Sequence, residues 1–195
     1  MKNTSIKLAI TGSHSTGKTT LIDYIEAHTR GMRITDIRGI ARSVIRRGFP
    51  MAKEATEAAF ANYIHDQLRA QRVYDPAVCD LLMVDRCIAC AIGYARTNRA
   101  QGVIVPEFFV EMMEEVARLE SRFFDAYIFL PIEFPPASDP LRPVDEPYRC
   151  AVNDCILSTV KTLGFPIHVV KGSVQQRADM VHSIVSGLRQ EMALK

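Results

Sequence analysis

Eight consecutive residues carry the clearest chemistry in this chain: Gly12-Ser13-His14-Ser15-Thr16-Gly17-Lys18-Thr19. They match G-x-x-x-x-G-K-[ST] at every fixed position, with Thr20 next in line. Each residue type has a physical reason. Glycine at 12 and 17 lets the backbone turn tightly and aim its N–H groups inward. Those donors, with the N-terminus of a following helix, hold phosphate oxygens. The Lys18 ammonium adds positive charge at the β- and γ-phosphates, and the Thr19 hydroxyl suits Mg²⁺. Residues 12–20 are therefore expected to cradle ATP with Mg²⁺.

A second anchor is expected at the end of a neighbouring strand. Leu81-Leu82-Met83-Val84-Asp85 is four apolar residues ending in one carboxylate. Parallel strands deliver ligands at that edge. Asp85 then either accepts the proton of an acceptor hydroxyl or holds Mg²⁺. The next residue is Arg86, not the glutamate that many ATPases use to polarise water. A cation there suits an anionic substrate or a phosphate in transit. Lys18, Asp85 and Arg86 are the first candidates for catalysis, and Thr19 and Asp85 for the metal.

Residues 133–147 form a long connection containing prolines 135, 136, 140, 143 and 147. A loop of this length in a compact domain is usually functional or disordered. As a lid it would bring Arg142, and with it Arg149, over the transferred phosphoryl group and exclude water. For an acceptor, the edge after the second strand offers Asp36, Arg38 and Arg42. The long helix that follows offers Tyr63, Gln67 and Gln71, with Gln67 suited to reading a base or amide edge.

Those residues need a frame to hold them. Strand patterns at 7–11, 33–37, 80–84, 126–130 and 167–170 alternate with helical patterns at 18–30, 39–47, 52–73, 88–96, 106–123, 148–163 and 174–188. Such alternation predicts an α/β fold: a parallel sheet with helices on both faces. The proline-rich stretch 131–147 is expected to hold no regular element.

The chain has 195 residues, 48% hydrophobic, enough for one domain with a full core, and a net charge of +2. That balance does not mark a nucleic-acid protein, although Arg38, Arg42, Arg46 and Arg47 cluster locally. No apolar run approaches the roughly 20 residues of a membrane helix. The short polar start and the odd count of five cysteines point to a cytoplasmic protein with reduced thiols. Cys87-x-x-Cys90 directly follows a strand, where one helical turn puts both thiols on a packed face. No heptad or interface stripe speaks to oligomeric state.

Rival nucleotide-binding classes lack their marks. No N-K-x-D follows a later strand, and Asp36-Ile37-Arg38-Gly39 lies only 18 residues beyond Lys18. The chain is also short for a module with an added helical lid domain.

Taken together, the 12–19 loop, Val84-Asp85-Arg86 and the 139–142 loop resemble the P-loop nucleoside and nucleotide kinase group. Within it the chain looks most like the AAA-domain-like ATPases that include the bacterial nicotinamide riboside kinase domain. The 38–50 region, with Ala41-Arg42 and Gly48-Phe49-Pro50, resembles that group's second-strand region. The resemblance implies a three-layer α/β/α P-loop fold with about five parallel strands and a lid loop. It implies Mg-ATP as donor and a hydroxyl or phosphate as acceptor. Asp85-Arg86 matches the acid–arginine pair of such kinases, and Arg142 matches the lid arginine. Pro140 stands where the lid usually has glycine. The expected function is phosphoryl transfer to a nucleoside, nucleotide or related small molecule. The alternatives are a kinase for a hydroxymethylated base in DNA and a regulatory ATP-binding module.

Overall fold

The computed structural model describes residues 5–75, 77–103, 105–136 and 145–194. Five strands form one sheet: β1 (Ile6–Thr11), β2 (Ile34–Ile37), β3 (Leu81–Asp85), β4 (Ala126–Phe129) and β5 (Ile167–Val169). Every neighbouring pair is parallel, in the order β2-β3-β1-β4-β5. Among the described residues, seven α-helices join them: α1 (Lys18–His28), α2 (Ile40–Arg46), α3 (Glu57–Arg72), α4 (Ile88–Ala100), α5 (Glu107–Ser121), α6 (Glu146–Thr162) and α7 (Val174–Ala193).

Strand periodicity divides the core in two. Ile6, Leu8 and Ile10 of β1 join Leu81, Met83, Ala126 and Ile128 on one face, packed by Leu21, Ile22 and Ile25 of α1 and Val181 and Val185 of α7. Ala9, Leu82, Val84, Tyr127 and Phe129 point to the other face, covered by α2 to α6. Successive side chains of a strand face opposite ways, so strands buried on both faces read as continuous apolar runs. This is the expected three-layer α/β/α arrangement.

The register places the site. Ile10 lies opposite Asp85 and Thr11 opposite Phe129, so β1, β3 and β4 end at one level. The glycine loop leaves β1 between the ends of β3 and β4, at the point where the strand order reverses.

Local chemistry moved some boundaries. The helix expected over 52–73 is interrupted. A single 3₁₀ turn, Ala52–Glu54, precedes α3, which starts after Thr56. The Thr56 hydroxyl accepts from the Ala59 N–H at 3.3 Å, and the Ala52 carbonyl accepts from Asn98 at 2.9 Å. A side-chain cap and a pinned carbonyl both terminate a helix here. Conversely, α6 begins inside the proline-rich stretch. Pro147 sits in its first turn, where an N–H is not needed, and Asp145 caps it by accepting from the Tyr148 N–H at 3.0 Å. Helix α7 opens with a Ser173/Gln176 capping box and runs to Ala193. Among the described residues, no helix is long and apolar enough to cross a membrane.

Candidate functional site

The loop that leaves β1 turns through two left-handed glycines, Gly12 at φ 126° and Gly17 at φ 85°. A Cβ on Gly12 would lie 2.5 Å from the Leu130 carbonyl oxygen, so no other residue fits there. Helix α1 then starts without a side-chain cap, which leaves its first N–H groups with no intrahelical acceptor.

Four successive loop carbonyls face cations. The Ser13 carbonyl accepts from Lys18 Nζ, which also donates to Thr16 Oγ1 at 3.1 Å. The carbonyls of His14 and Ser15 accept from Arg149 at 3.2 and 3.0 Å. The Thr16 carbonyl accepts from Arg177 at 2.7 Å. Arg149 is 0% and Arg177 3% exposed. Both guanidiniums are tied down further, Arg149 to the Phe134 carbonyl and Glu146, Arg177 to Glu133 at 2.6 Å. Charged donors on one side of a tight loop hold its carbonyls there, which turns the peptide units so that N–H groups can serve the other side. Two N–H groups are used for fixation: Ser13 donates to Asn153 Oδ1 at 3.0 Å and His14 to the Tyr94 hydroxyl at 3.1 Å. Ser13, His14, Thr16 and Lys18 are buried, Ser15 and Gly17 half-buried, Thr19 and Thr20 exposed.

Asp85 meets the loop from β3. Its Oδ2 accepts from the Thr19 hydroxyl at 3.2 Å, while its Oδ1 is buried with no hydrogen-bond partner. A hydroxyl beside an unsatisfied carboxylate oxygen is an oxygen-rich pair that fits Mg²⁺. The uncapped helix, the glycine-lined turn and Lys18 fit the phosphates of ATP.

Arg86 is held in the left-handed region, at φ 82°. That is uncommon for a residue with a Cβ and costs about 1–2 kcal/mol. Its backbone is tied on both sides: its N–H donates to Ile10 O at 2.9 Å and its carbonyl accepts from Gln67 Nε2 at 3.2 Å. The guanidinium lies 5.6 Å from the centre of the Tyr94 ring. Burial opposes its charge, but Tyr94 and Asp85 outweigh it and its pKa is raised.

The Arg86 side chain lines a pocket of about 480 Å³, partly open to solvent. Its walls are mainly apolar: Ala41 and Ile45 of α2, Met51 and Ala52, Phe60 and Tyr63 of α3, and Cys90, Ala91 and Tyr94 of α4. The hydroxyl of Tyr63, one of these wall residues, is buried without a hydrogen-bond partner. An orphaned polar atom on a cavity wall is the kind that a ligand satisfies.

The structure thus brings Lys18, Thr19, Asp85 and Arg86 together, and places other predicted residues differently. Asp36, Arg38 and Arg42 do not line the pocket. Arg38 is neutralised by Asp23, Glu26 and Asp36, because α1 presents its acidic face to β2. Arg42 is exposed. Gln67 supports the Arg86 backbone, and Gln71 donates to Glu120 at 2.8 Å. Arg149, expected near the substrate as part of a lid, lies beneath the phosphate loop, where the first turn of α6 carries it. Arg142 lies outside the described residues. Sequence reasoning missed Asn153, Tyr94 and Arg177. The available signal was a polar residue at a helical position that the apolar stripe assigns to the core: Asn153 falls between Val152 and Ile156, and Arg177 beside Ala178 and Val181.

Comparison with known proteins agrees with this fold. The profile of a family described as AAA domain matches residues 7–177. No curated protein sequence matches the chain. Among solved structures, NadR in complex with NAD and AMP-PNP is similar, with a TM-score of 0.70 at 19% identity over 93% of this chain and 50% of that one. The chain therefore spans about half the length of NadR. Deoxyadenosine kinase from M. mycoides, with dCMP and dCDP bound, gives a TM-score of 0.67 at 15% identity over 94% of this chain and 100% of that one. Thymidylate kinase from Candida albicans gives 0.63 at 15% identity over 95% and 93%.

Proposed function

The chain belongs to this AAA-domain family and has a P-loop nucleotide kinase-like fold, and from that premise we propose that it is an ATP-dependent phosphotransferase acting on a nucleoside, nucleotide or similar small molecule. One observation carries the reading. Consecutive residues at the end of β3 serve two sites: Asp85 holds Thr19 of the phosphate loop, and Arg86 lines the separate pocket. A donor site and an acceptor site that meet at one strand end suit transfer from one to the other.

In this reading the loop 12–20 binds the triphosphate, with Lys18 at the β/γ end. Thr19 and Asp85 would hold Mg²⁺, which when bound neutralises phosphate charge. The acceptor lies in the pocket against Phe60, Tyr63 and Tyr94, whose apolar walls with a few polar groups are the lining expected of a small-molecule site. Arg86 stabilises negative charge on the transferred group. Asp85 takes the acceptor's proton or anchors the metal. Arg142 is the candidate to close over the phosphoryl group.

ADP release from Mg-ATP is to be measured alone and with nucleosides, nucleoside monophosphates, nicotinamide riboside and hydroxymethylated DNA. An acceptor that raises the rate at least about 100-fold, or about 2.7 kcal/mol of barrier, supports the kinase and identifies its substrate. Stimulation by DNA alone, falling steeply with salt, points to the DNA alternative. ATP binding with no stimulation by any acceptor counts against a kinase and for a regulatory module. Lys18→Ala is expected to abolish turnover while leaving the circular-dichroism spectrum unchanged, and a fully active variant would overturn the loop assignment.

A further inference from the structure

Cys90 occupies a wall of the acceptor pocket, and the Cys87 sulfur lies 3.9 Å from its own. The two belong to the first turn of α4. Cys87 is its N-cap, and the Cys90 N–H donates to the Cys87 carbonyl at 3.0 Å. A disulfide needs the sulfurs about 2.05 Å apart. Closing the remaining gap requires side-chain rotation within one helical turn. The start of α4 presents the positive end of its dipole, and Arg86 lines the same pocket. The Cys87 thiol and then the Arg86 charge hold the Cys90 pKa below the ordinary thiol range, against burial. Thiolate is the nucleophilic form. The other three cysteines are set differently: Cys79 is buried beside Ser5 and Tyr74, Cys150 is exposed on α6, and Cys155 is half-buried on the same helix, where burial pushes its thiol pKa up.

We propose that Cys90 and Cys87 are an oxidisable dithiol built into the pocket wall, in which a hydroperoxide oxidises Cys90 and Cys87 closes the product to a disulfide. In the first step the Cys90 sulfur attacks the peroxide oxygen. The O–O bond breaks, Cys90 becomes a sulfenic acid, and the departing alkoxide or hydroxide takes a proton. In the second step the Cys87 sulfur attacks the sulfenic sulfur, the S–S bond forms, and the S–O bond breaks with release of water. Two thiols are oxidised and one hydroperoxide is reduced. The pocket supplies the route for a small oxidant to a side chain only 1% exposed. The disulfide draws the Cys90 sulfur toward Cys87 and leaves no thiolate near Arg86. If the pocket is the acceptor site, oxidation changes the KM for acceptor and leaves ATP affinity unchanged. The thiol chemistry itself does not depend on that reading.

The test is a peptide map of the full chain. Reduced protein is exposed to hydrogen peroxide, quenched and unfolded in denaturant containing iodoacetamide so that every remaining thiol is capped, and then digested with trypsin. Cleavage after Arg86 and Arg96 yields one peptide, 87–96, that contains both residues. The expected peptide is two hydrogens lighter and uncapped, formed at least roughly tenfold faster than Cys150 is oxidised, and restored by dithiothreitol. Cys87→Ser should stop at a dimedone-reactive Cys90. If that variant fails to fold, the wild-type map decides alone. Oxidation of Cys150 while 87–96 keeps two caps overturns the proposal, as does formation of the disulfide only after denaturation.

Discussion

Replacing Arg149 by alanine tests whether the phosphate loop depends on the guanidinium beneath it. Arg149 is fully buried and donates to the carbonyls of His14, Ser15 and Phe134 at 3.2, 3.0 and 2.9 Å. A hydrogen bond to a charged group contributes about 1.5–3 kcal/mol net, and three on one side chain are not additive. Glu146, 44% exposed, adds little because water replaces its partner. The expected loss is therefore about 3–5 kcal/mol, the range for breaking a buried charged cluster, out of a total of about 5–15 kcal/mol. Arg149→Lys keeps the charge but not the fork, so it should recover about half. Urea unfolding with and without Mg-ATP measures both effects. The alanine variant should show a lowered midpoint with an unchanged m-value, and a smaller stabilisation by Mg-ATP, because its loop binds more weakly. A loss below about 1 kcal/mol, together with unaltered nucleotide binding, would refute the argument that Arg149 fixes the loop.

Asp85→Asn should lower turnover far more than ATP affinity if Asp85 is the proton acceptor, and both equally if it is mainly a metal anchor; kcat and the dissociation constant of ATP separate the two. Gly93→Ala should destabilise the protein by about 1–3 kcal/mol, seen as a lower Tm, because its Cβ would lie 2.4 Å from Ile156 Cγ1 and 2.9 Å from the Ile156 backbone nitrogen. Glu120 is buried, accepting from the Ile88 N–H and from Gln71 at 2.8 Å, and burial raises its pKa from 4.5 to about 8. The folded state then holds a proton that the unfolded state releases. The stabilisation is fully present below about pH 4.5 and is lost as pH rises to about 8, with a slope of at most about 1.4 kcal/mol per pH unit. Denaturant titrations of Glu120→Gln should lack that slope, and an equal slope in both proteins would show that Glu120 is not its source.

The architecture was legible because its signals are local. Apolar runs at 81–84 and 126–129 mark strands buried on both faces, and glycine spacing around Lys18 admits few other readings. Asp85 and Arg86 could be placed because a strand ends there. The pocket beside Arg86 was less legible, since it is made by contacts between distant segments. The carboxylates that capture Arg38, Asp23 and Glu26, sit on a helix 12 to 15 residues earlier in the chain. The apolar lining of the pocket reads in sequence as ordinary core. Arg149 was read correctly as helical, but its contacts with the loop carbonyls span 134 and 135 positions and leave no local signal in the sequence.

Helix α6 has a consequence for synthesis. The phosphate loop is synthesised 134 to 161 positions ahead of Arg149, Asn153 and Arg177, which hold it. Contacts this remote in sequence form late, after loop-closure entropy has been met. A nascent chain short of α6 lacks the side chains that hold the glycine turn, so competence to bind ATP should switch on only once α6 and α7 have been made. For the same reason, a rearranged gene that starts within the loop between β4 and α6 would make the supports before the part they support.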